Sequence, residues 1–328
     1  GLSTILTVYI GGLKAIEGEI SLGNIAEFII YVNMLTWPVT ALGWVTSIIQ
    51  RAAASQERVN EFLQTKPDIQ NPSDEPFELK GKITFKDVTF VYPESGTLAL
   101  DKISFEVKPG ETLAIIGRTG AGKSTIADLI CRLFDANEGE VLIDDKNIKE
   151  INLNALRSEI GYVPQEVFLF SDSIRNNISF GITEEVVPIE RIEEAAKKAV
   201  IHHSIAEFPK KYDTELGERG ITLSGGQKQR ISIARAIIDE PHILIFDDCL
   251  SAVDTETEEK ILNNLKPLMK QRSTVIISHR ISSVQHADQI LVLEEGRLIE
   301  KGKHNELIEQ KGVYYETYQK QLLEDEEA

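Results

Sequence analysis

The sequence predicts an α/β domain with a parallel sheet core and antiparallel β additions, preceded by transmembrane α-helices. Three observations carry this expectation. Strand-like and helical segments alternate after residue 80, a 25-residue apolar run precedes them, and a Gly-rich segment joins one strand to one helix. Strands interleaved with helices fold into layered domains, and an apolar run of that length spans the ~30 Å hydrocarbon core of a bilayer.

At 328 residues the chain exceeds one average domain, and its 42% hydrophobic content is ordinary for a folded protein. Residues 1–50 are almost uncharged, so most of the acidic excess behind the formal charge of -17 resides downstream. That sign disfavours attraction to nucleic acid, and no nucleic-acid partner is expected. Cys131 and Cys249 lie too far apart in sequence to suggest a disulfide framework or a metal-ligand spacing, which fits a reducing compartment. Cys249 reads as a small buried hydrophobe, with a redox role as the alternative.

"GLSTILTVYIGGL" is apolar but too short to span a membrane by itself. It begins at Gly1 rather than Met, so the chain reads as a fragment cut within a preceding membrane helix. "KAIEGEISLGN" makes a tight turn, and Ile25–Ile49 follows with Glu27 as its one formal charge. Glu27 lies three residues after Asn24, the spacing of a capping pair, and Pro38 predicts a kink. A helix from Asn24 to Leu63 is roughly 60 Å long, so half of it projects beyond the bilayer. Arg51 and Arg58 place that projecting side in the cytoplasm. The prolines and acids of "KPDIQNPSDEP" mark a linker. The expected organisation is a membrane part at 1–64, a linker at 65–80 and an α/β domain at 81–328.

Within that domain "KITFKDVTFVY", "TLALDKISFEV", "ETLAIIG", "HILIFDD" and "STVIISH" read as strands and "KSTIADLICRLF" as a helix. The segment Gly117, Arg118, Thr119, Gly120, Ala121, Gly122, Lys123, Ser124 and Thr125 matches G-x-x-x-x-G-K-[ST] between a strand and a helix, the context a phosphate-binding loop requires. Backbone N–H groups and the helix dipole would cradle phosphate oxygens, Lys123 would neutralise the β and γ phosphates, and Ser124 would offer its hydroxyl to Mg2+. Asp247, ending an apolar strand, is placed as the second Mg2+ ligand.

Leu223, Ser224, Gly225, Gly226 and Gln227 open an amphipathic helix, where Ser224 alone would be a good N-cap. Together with the phosphate loop and the acid-ended strand, however, "LSGGQ" resembles the signature of the ATP-binding cassette (ABC) family, and the match extends from about Ile83 to Tyr318. The resemblance implies a P-loop NTPase domain with a helical subdomain, in which the signature contacts the γ-phosphate of ATP held by the other subunit. It also implies that Tyr92 stacks on adenine, that Gln165 reaches Mg2+ or water, and that "TELGERG" touches intracellular loops. Ser251 and Asp254 match the D-loop at the dimer interface, and His279 resembles the switch histidine that holds the γ-phosphate and the attacking water. Taken singly, Tyr92 is a strand aromatic, Gln165 a solvated amide, Asp254 a helix cap and His279 a turn residue. His202 and His203 match no motif, and no metal is expected there.

In the family the residue after the Mg2+-coordinating aspartate is a glutamate acting as general base, whereas here it is Asp248. A base must lie within about 3 Å of the proton it removes, and an aspartate is one methylene shorter. The catalytic set is therefore Asp248, His279 and Gln165, with Ser124, Gln165 and Asp247 for the metal and ATP and Mg2+ as cofactors. This combination resembles the degenerate-site half of a heterodimeric exporter in the cell membrane, whose partner half supplies the glutamate and whose substrate is unknown. The alternatives are a homodimeric exporter using Asp248 as base and a soluble ABC ATPase or regulatory ATP-binding module, against which the apolar run argues.

Overall fold

The computed structural model describes residues 1–182, 186–217, 220, 223–251 and 253–327, the last four in backbone only. Two compact units, Gly1–Asp68 and Ile69–Ala328, make up the chain.

The first unit is a pair of helices, α1 (Leu2–Ile16) and α2 (Leu22–Gln64). Ser21 caps α2: its hydroxyl accepts the Asn24 N–H at 3.3 Å, and Asn24 Oδ1 accepts the Ser21 N–H at 3.0 Å. The expected pairing of Asn24 with Glu27 is thus corrected. Asn24 is already inside the helix, and Glu27 instead accepts the Tyr31 hydroxyl at 2.6 Å. Helix α2 continues through Pro38, and its most apolar 18-residue stretch has mean hydropathy 1.4. Phe28, Trp37 and Trp44 are each more than 60% exposed within this unit, leaving a large apolar surface.

In the second unit β1 (Ile83–Val91) and β2 (Leu98–Val107) form a hairpin, followed by β3 (Thr112–Gly117), α3 (Lys123–Ile130), β4 (Glu138–Ile143), β5 (Lys146–Asn147), α4 (Leu153–Ser158) and β6 (Ile160–Val163). The helical subdomain follows as α5 (Ile174–Ile178), α6 (Ile189–Lys198), α7 (His202–Ala206) and α8 (Gly225–Ile237). The chain then runs through β7 (Ile243–Asp247), α9 (Thr255–Met269), β8 (Ser273–Ile277), α10 (Ile281–Val284), β9 (Gln289–Glu294), β10 (Arg297–Gly302), α11 (His304–Gln310) and α12 (Val313–Glu327).

Two sheets result. One is antiparallel with order β2-β1-β4-β5, where Phe85 and Phe105 sit opposite each other and stack at 4.5 Å between ring centroids. The other has order β10-β9-β3-β8-β7-β6, parallel throughout except for β10 at the edge. Strands covered on both faces are largely apolar, and β7 and β8, buried along their whole length, are apolar except at Asp247, Ser273 and Thr274. Alternate residues serve alternate faces. Ile115, Ile245 and Ile277 pack with α3 and the antiparallel sheet, while Ile116, Phe246 and Ile276 pack with α8 and α9. This alternation fixes which residues end at the carboxyl edge of the sheet.

Both cysteines are buried and free; burial pushes the Cys131 thiol up to about 12 and raises the Cys249 thiol as well, which disfavours the thiolate at both. His202 Nδ1 lies 2.8 Å from the Tyr212 hydroxyl. Among the described residues no cluster of three His, Cys, Asp or Glu side chains is arranged to hold a metal.

Candidate active site

Four neighbouring parallel strands, in the order β3, β8, β7 and β6, deliver their carboxyl ends to one place. That edge is where open α/β sheets hold ligands. Strand β3 runs into the loop 117–122, β7 ends on Asp247, β8 leads to His279, and β6 leads to Gln165.

The loop closes on Gly122, whose φ of 92° lies in the left-handed region; a Cβ there would run into the Ala99 carbonyl and Leu100. This conformation starts α3 with Lys123. The Lys123 ammonium is buried and donates to the carbonyls of Gly117 at 2.8 Å and Arg118 at 2.9 Å. Burial lowers its pKa, while Asp248 and Asp247 act in the opposite direction. The cation is therefore held by two loop carbonyls.

Ser124 donates its hydroxyl to Asp247 Oδ1 at 3.1 Å, and the Tyr162 hydroxyl reaches Oδ2 at 3.4 Å. Burial raises the Asp247 pKa, opposed most by the Ser124 bond. Gln165 Nε2 donates to Asp248 Oδ2 at 3.3 Å. Asp248 has φ 45°, its N–H donates to the Ile277 carbonyl at 2.8 Å, and its own carbonyl accepts the Ser251 hydroxyl at 2.8 Å. Tyr92 lies 3.0 Å from Thr125 Oγ1, with its ring edge-on to Phe90 and Phe134. A cavity of about 310 Å3 is lined by Tyr92, Thr119, Gly120, Gly122, Lys123, Ser124, Thr125, Gln165, Asp247, Asp248 and His279.

The remaining expected residues lie elsewhere. Gly117 and Arg118 line a neighbouring cavity, and Ala121 is buried. Leu223, Ser224, Gly225, Gly226 and Gln227 stand outside the cavity at the start of α8, where Ser224 Oγ accepts the Gln227 N–H at 3.2 Å and Gln227 Oε1 accepts the Ser224 N–H at 3.0 Å. Asp254 caps α9 by accepting the Thr257 N–H at 2.9 Å. Of Thr214–Gly220, Glu218 and Arg219 lie outside the described residues, and so does Ala252 between Ser251 and Asp254.

Two neighbours were not legible beforehand. Tyr162 touches Asp247 because β6 lies beside β7, an adjacency that only sheet order reveals. Asp128, on α3, has its carboxyl pushed up to about 6 by burial first and by Asp247 second.

The Ser124 hydroxyl, the Asp247 carboxylate and the Gln165 amide form an all-oxygen donor set once Gln165 turns its Oε1 inward. Such a set, with one or two carboxylates and phosphate completing the shell, suits Mg2+.

Comparison with known proteins places these observations in a family. Residues 100–251 match the family described as ABC transporter. The chain is 45% identical over 313 residues to the uncharacterized ABC transporter ATP-binding protein YknU of Bacillus subtilis (strain 168), covering 94% of this chain and 53% of the relative. It is 39% identical over 324 residues to the multidrug resistance-like ATP-binding protein MdlA of Escherichia coli (strain K12), covering 99% and 55%. A solved structure of a bacterial Atm1-family ABC exporter with ATP bound superposes with TM-score 0.80 at 37% identity, covering 97% of this chain and 55% of that one. The chain thus spans about half the length of the curated relatives it matches. The chain is therefore an ABC transporter ATP-binding domain with a short helical N-terminal part, homologous to ABC exporters.

Proposed function

We propose that this chain is the ATP-binding subunit of an ABC exporter, with 1–64 in its membrane domain, 65–80 as linker and 81–328 as the nucleotide-binding domain on the cytoplasmic side of the cell membrane. We further propose that it forms half of a heterodimer and that its own site hydrolyses ATP weakly. The observation that carries this reading is the convergence of Lys123, Ser124, Asp247, Gln165 and His279 on one cavity whose second acid is Asp248.

In this reading the adenine ring stacks on Tyr92, and Lys123 exchanges its loop carbonyls for the β and γ phosphates. Bound Mg2+, held by Ser124, Asp247 and Gln165, supplies charge neutralisation at those phosphates. His279 fixes the terminal phosphate and orients water. Asp248 is the weak element: a misplacement of about 1 Å costs on the order of 100-fold in rate. The signature, at Ser224 and Gly226, completes the partner's site, where the partner's glutamate is the base. The homodimeric alternative draws on the Gln165–Asp248 hydrogen bond, which keeps the shorter carboxylate at the water-holding position.

ATPase rates of the whole protein in lipid with its partner half separate the two. Asp248→Asn should lower the rate modestly, and Ser224→Arg should abolish most of it. Equal damage from both, or vigorous hydrolysis by the homodimer, would establish Asp248 as a working base instead.

A further inference from the structure

Helix α12 reaches back to the loop that carries His279. The Gln321 carboxamide donates from Nε2 to the His279 carbonyl at 2.6 Å and accepts the Ile281 N–H on Oε1 at 2.8 Å. Bonding the carbonyl of one residue and the amide two positions on imitates the pairing of a neighbouring strand. It fixes the backbone on both sides of Arg280.

Arg280 is held from the opposite direction. Its NH1 donates to Glu258 at 2.7 Å, and its guanidinium approaches the Val253 and Ser251 carbonyls at 3.4 Å. Glu258 is itself buried and accepts the Ser283 hydroxyl. The start of α12 is equally fixed: the Glu300 carboxylate accepts the N–H groups of Val313 at 2.5 Å and Tyr314 at 3.1 Å, and the buried Tyr314 hydroxyl lies 2.8 Å from His304 Nδ1. Tyr314, Tyr318 and Gln321 follow at i, i+4 and i+7, one face of the helix. That face carries the fixed start of α12 to the His279 loop.

His279 also stands between two cavities. One is the nucleotide cavity; the other, of about 410 Å3, is bounded by Arg118, Glu294, Thr317 and Gln321. On the side of the second cavity the Gln321 bonds are the contacts that tie this loop to α12.

We propose that Gln321 is a positioning residue for His279, so that the C-terminal helix sets how the imidazole meets the terminal phosphate of bound ATP. The proposal rests on the nucleotide reading above. It implies an effect confined to the terminal phosphate, which ADP lacks.

The test is competition of Mg-ATP and Mg-ADP against a fluorescent ATP analogue on the whole chain in detergent. Gln321→Leu removes both bonds. Gln321→Glu keeps an acceptor for Ile281 but sets a carboxylate oxygen against the His279 carbonyl, and it provides the readout should the leucine variant fold poorly. Both should weaken ATP about three- to tenfold, the scale of one or two net hydrogen bonds, and leave ADP unchanged. In a His279→Ala background Gln321→Leu should add nothing further, because the two changes act through one group. Equal weakening of ATP and ADP, no weakening of either, or full additivity with His279→Ala overturns the proposal. Lys123→Ala is the control for the underlying reading: an ATP affinity that ignores it removes the nucleotide assignment itself, whereas a normal Lys123 response with silent Gln321 variants removes only the positioning role.

Discussion

Ser124 and Asp247 lie 123 residues apart in sequence and are joined by a hydrogen bond of 3.1 Å. The bond favours the ionised form of a carboxylate whose pKa burial raises. Ser124→Ala should therefore weaken nucleotide binding in the presence of Mg2+ by roughly tenfold, the scale of a hydrogen bond to a charged group, and leave the weaker binding in EDTA unchanged. Titration with a fluorescent ATP analogue with and without metal checks this. An equal loss in both conditions would place Ser124 outside the metal's surroundings.

Lys123 is the buried cation that follows the loop. Its ammonium is fixed by two carbonyls of the loop itself. Lys123→Ala should cost roughly 10- to 150-fold in ATP affinity, corresponding to a charged hydrogen-bonding group lost from a buried site. The same titration reads it, and unchanged affinity would reject the phosphate-loop assignment.

Asp128 gives a pH dependence whose sign follows from its environment. Its carboxyl is pushed up to about 6 in the fold from an ordinary value of 3.8. Between about pH 4 and 6 the folded state keeps a proton that the unfolded chain has released, so stability falls as pH rises through that window and levels off above it. Asp128→Asn removes this dependence. Its melting temperature, measured without nucleotide, should gain on the wild type between pH 4 and 6 and keep the advantage at pH 7.5. A constant offset across that range would mean that the buried carboxyl is not the titrating group.

Asp248 combines a functional position with a left-handed backbone, φ 45°. Aspartate and asparagine tolerate that region better than most residues, and a β-branched side chain is an outlier there. Asp248→Asn should keep the wild-type stability, whereas Asp248→Val should lose about 1–2 kcal/mol, the cost of a left-handed conformation for a residue with a bulky Cβ. Chemical denaturation measures the difference. Equal stabilities would show that the turn relaxes away from positive φ.

The sequence made the site legible where chemistry ends a strand. β3, β7 and β8 are apolar runs stopped by Gly117, Asp247 and the Ser278–His279 pair, so the residues at their carboxyl edge stand out from the strands themselves. What it concealed depends on adjacency. Tyr162 and Gln321 carry no motif of their own, and they matter because β6 lies beside β7 and α12 folds back on the loop after β8. The start of α2 was misplaced by one turn because "SLGNIAE" contains two overlapping capping patterns, Ser21 with Asn24 and Asn24 with Glu27. Only the backbone bonds decide between them.

Strand β3 pairs with β8 and β9, at registers such as Ala114 with Ile276 and Ile115 with Leu291. Its neighbours are therefore made about 160 residues later by the ribosome, which adds roughly 5–20 residues per second. During synthesis the loop 117–122 therefore precedes both parallel neighbours of β3. A nascent chain stopped before β8 possesses Lys123 and Ser124 and the antiparallel sheet beside α3, but lacks both parallel neighbours of β3. The same lateness makes the contact order of this region high, and such strands pair slowly. The carboxyl edge at which Lys123, Asp247 and His279 meet thus exists only once the chain has been translated through the loop after β8.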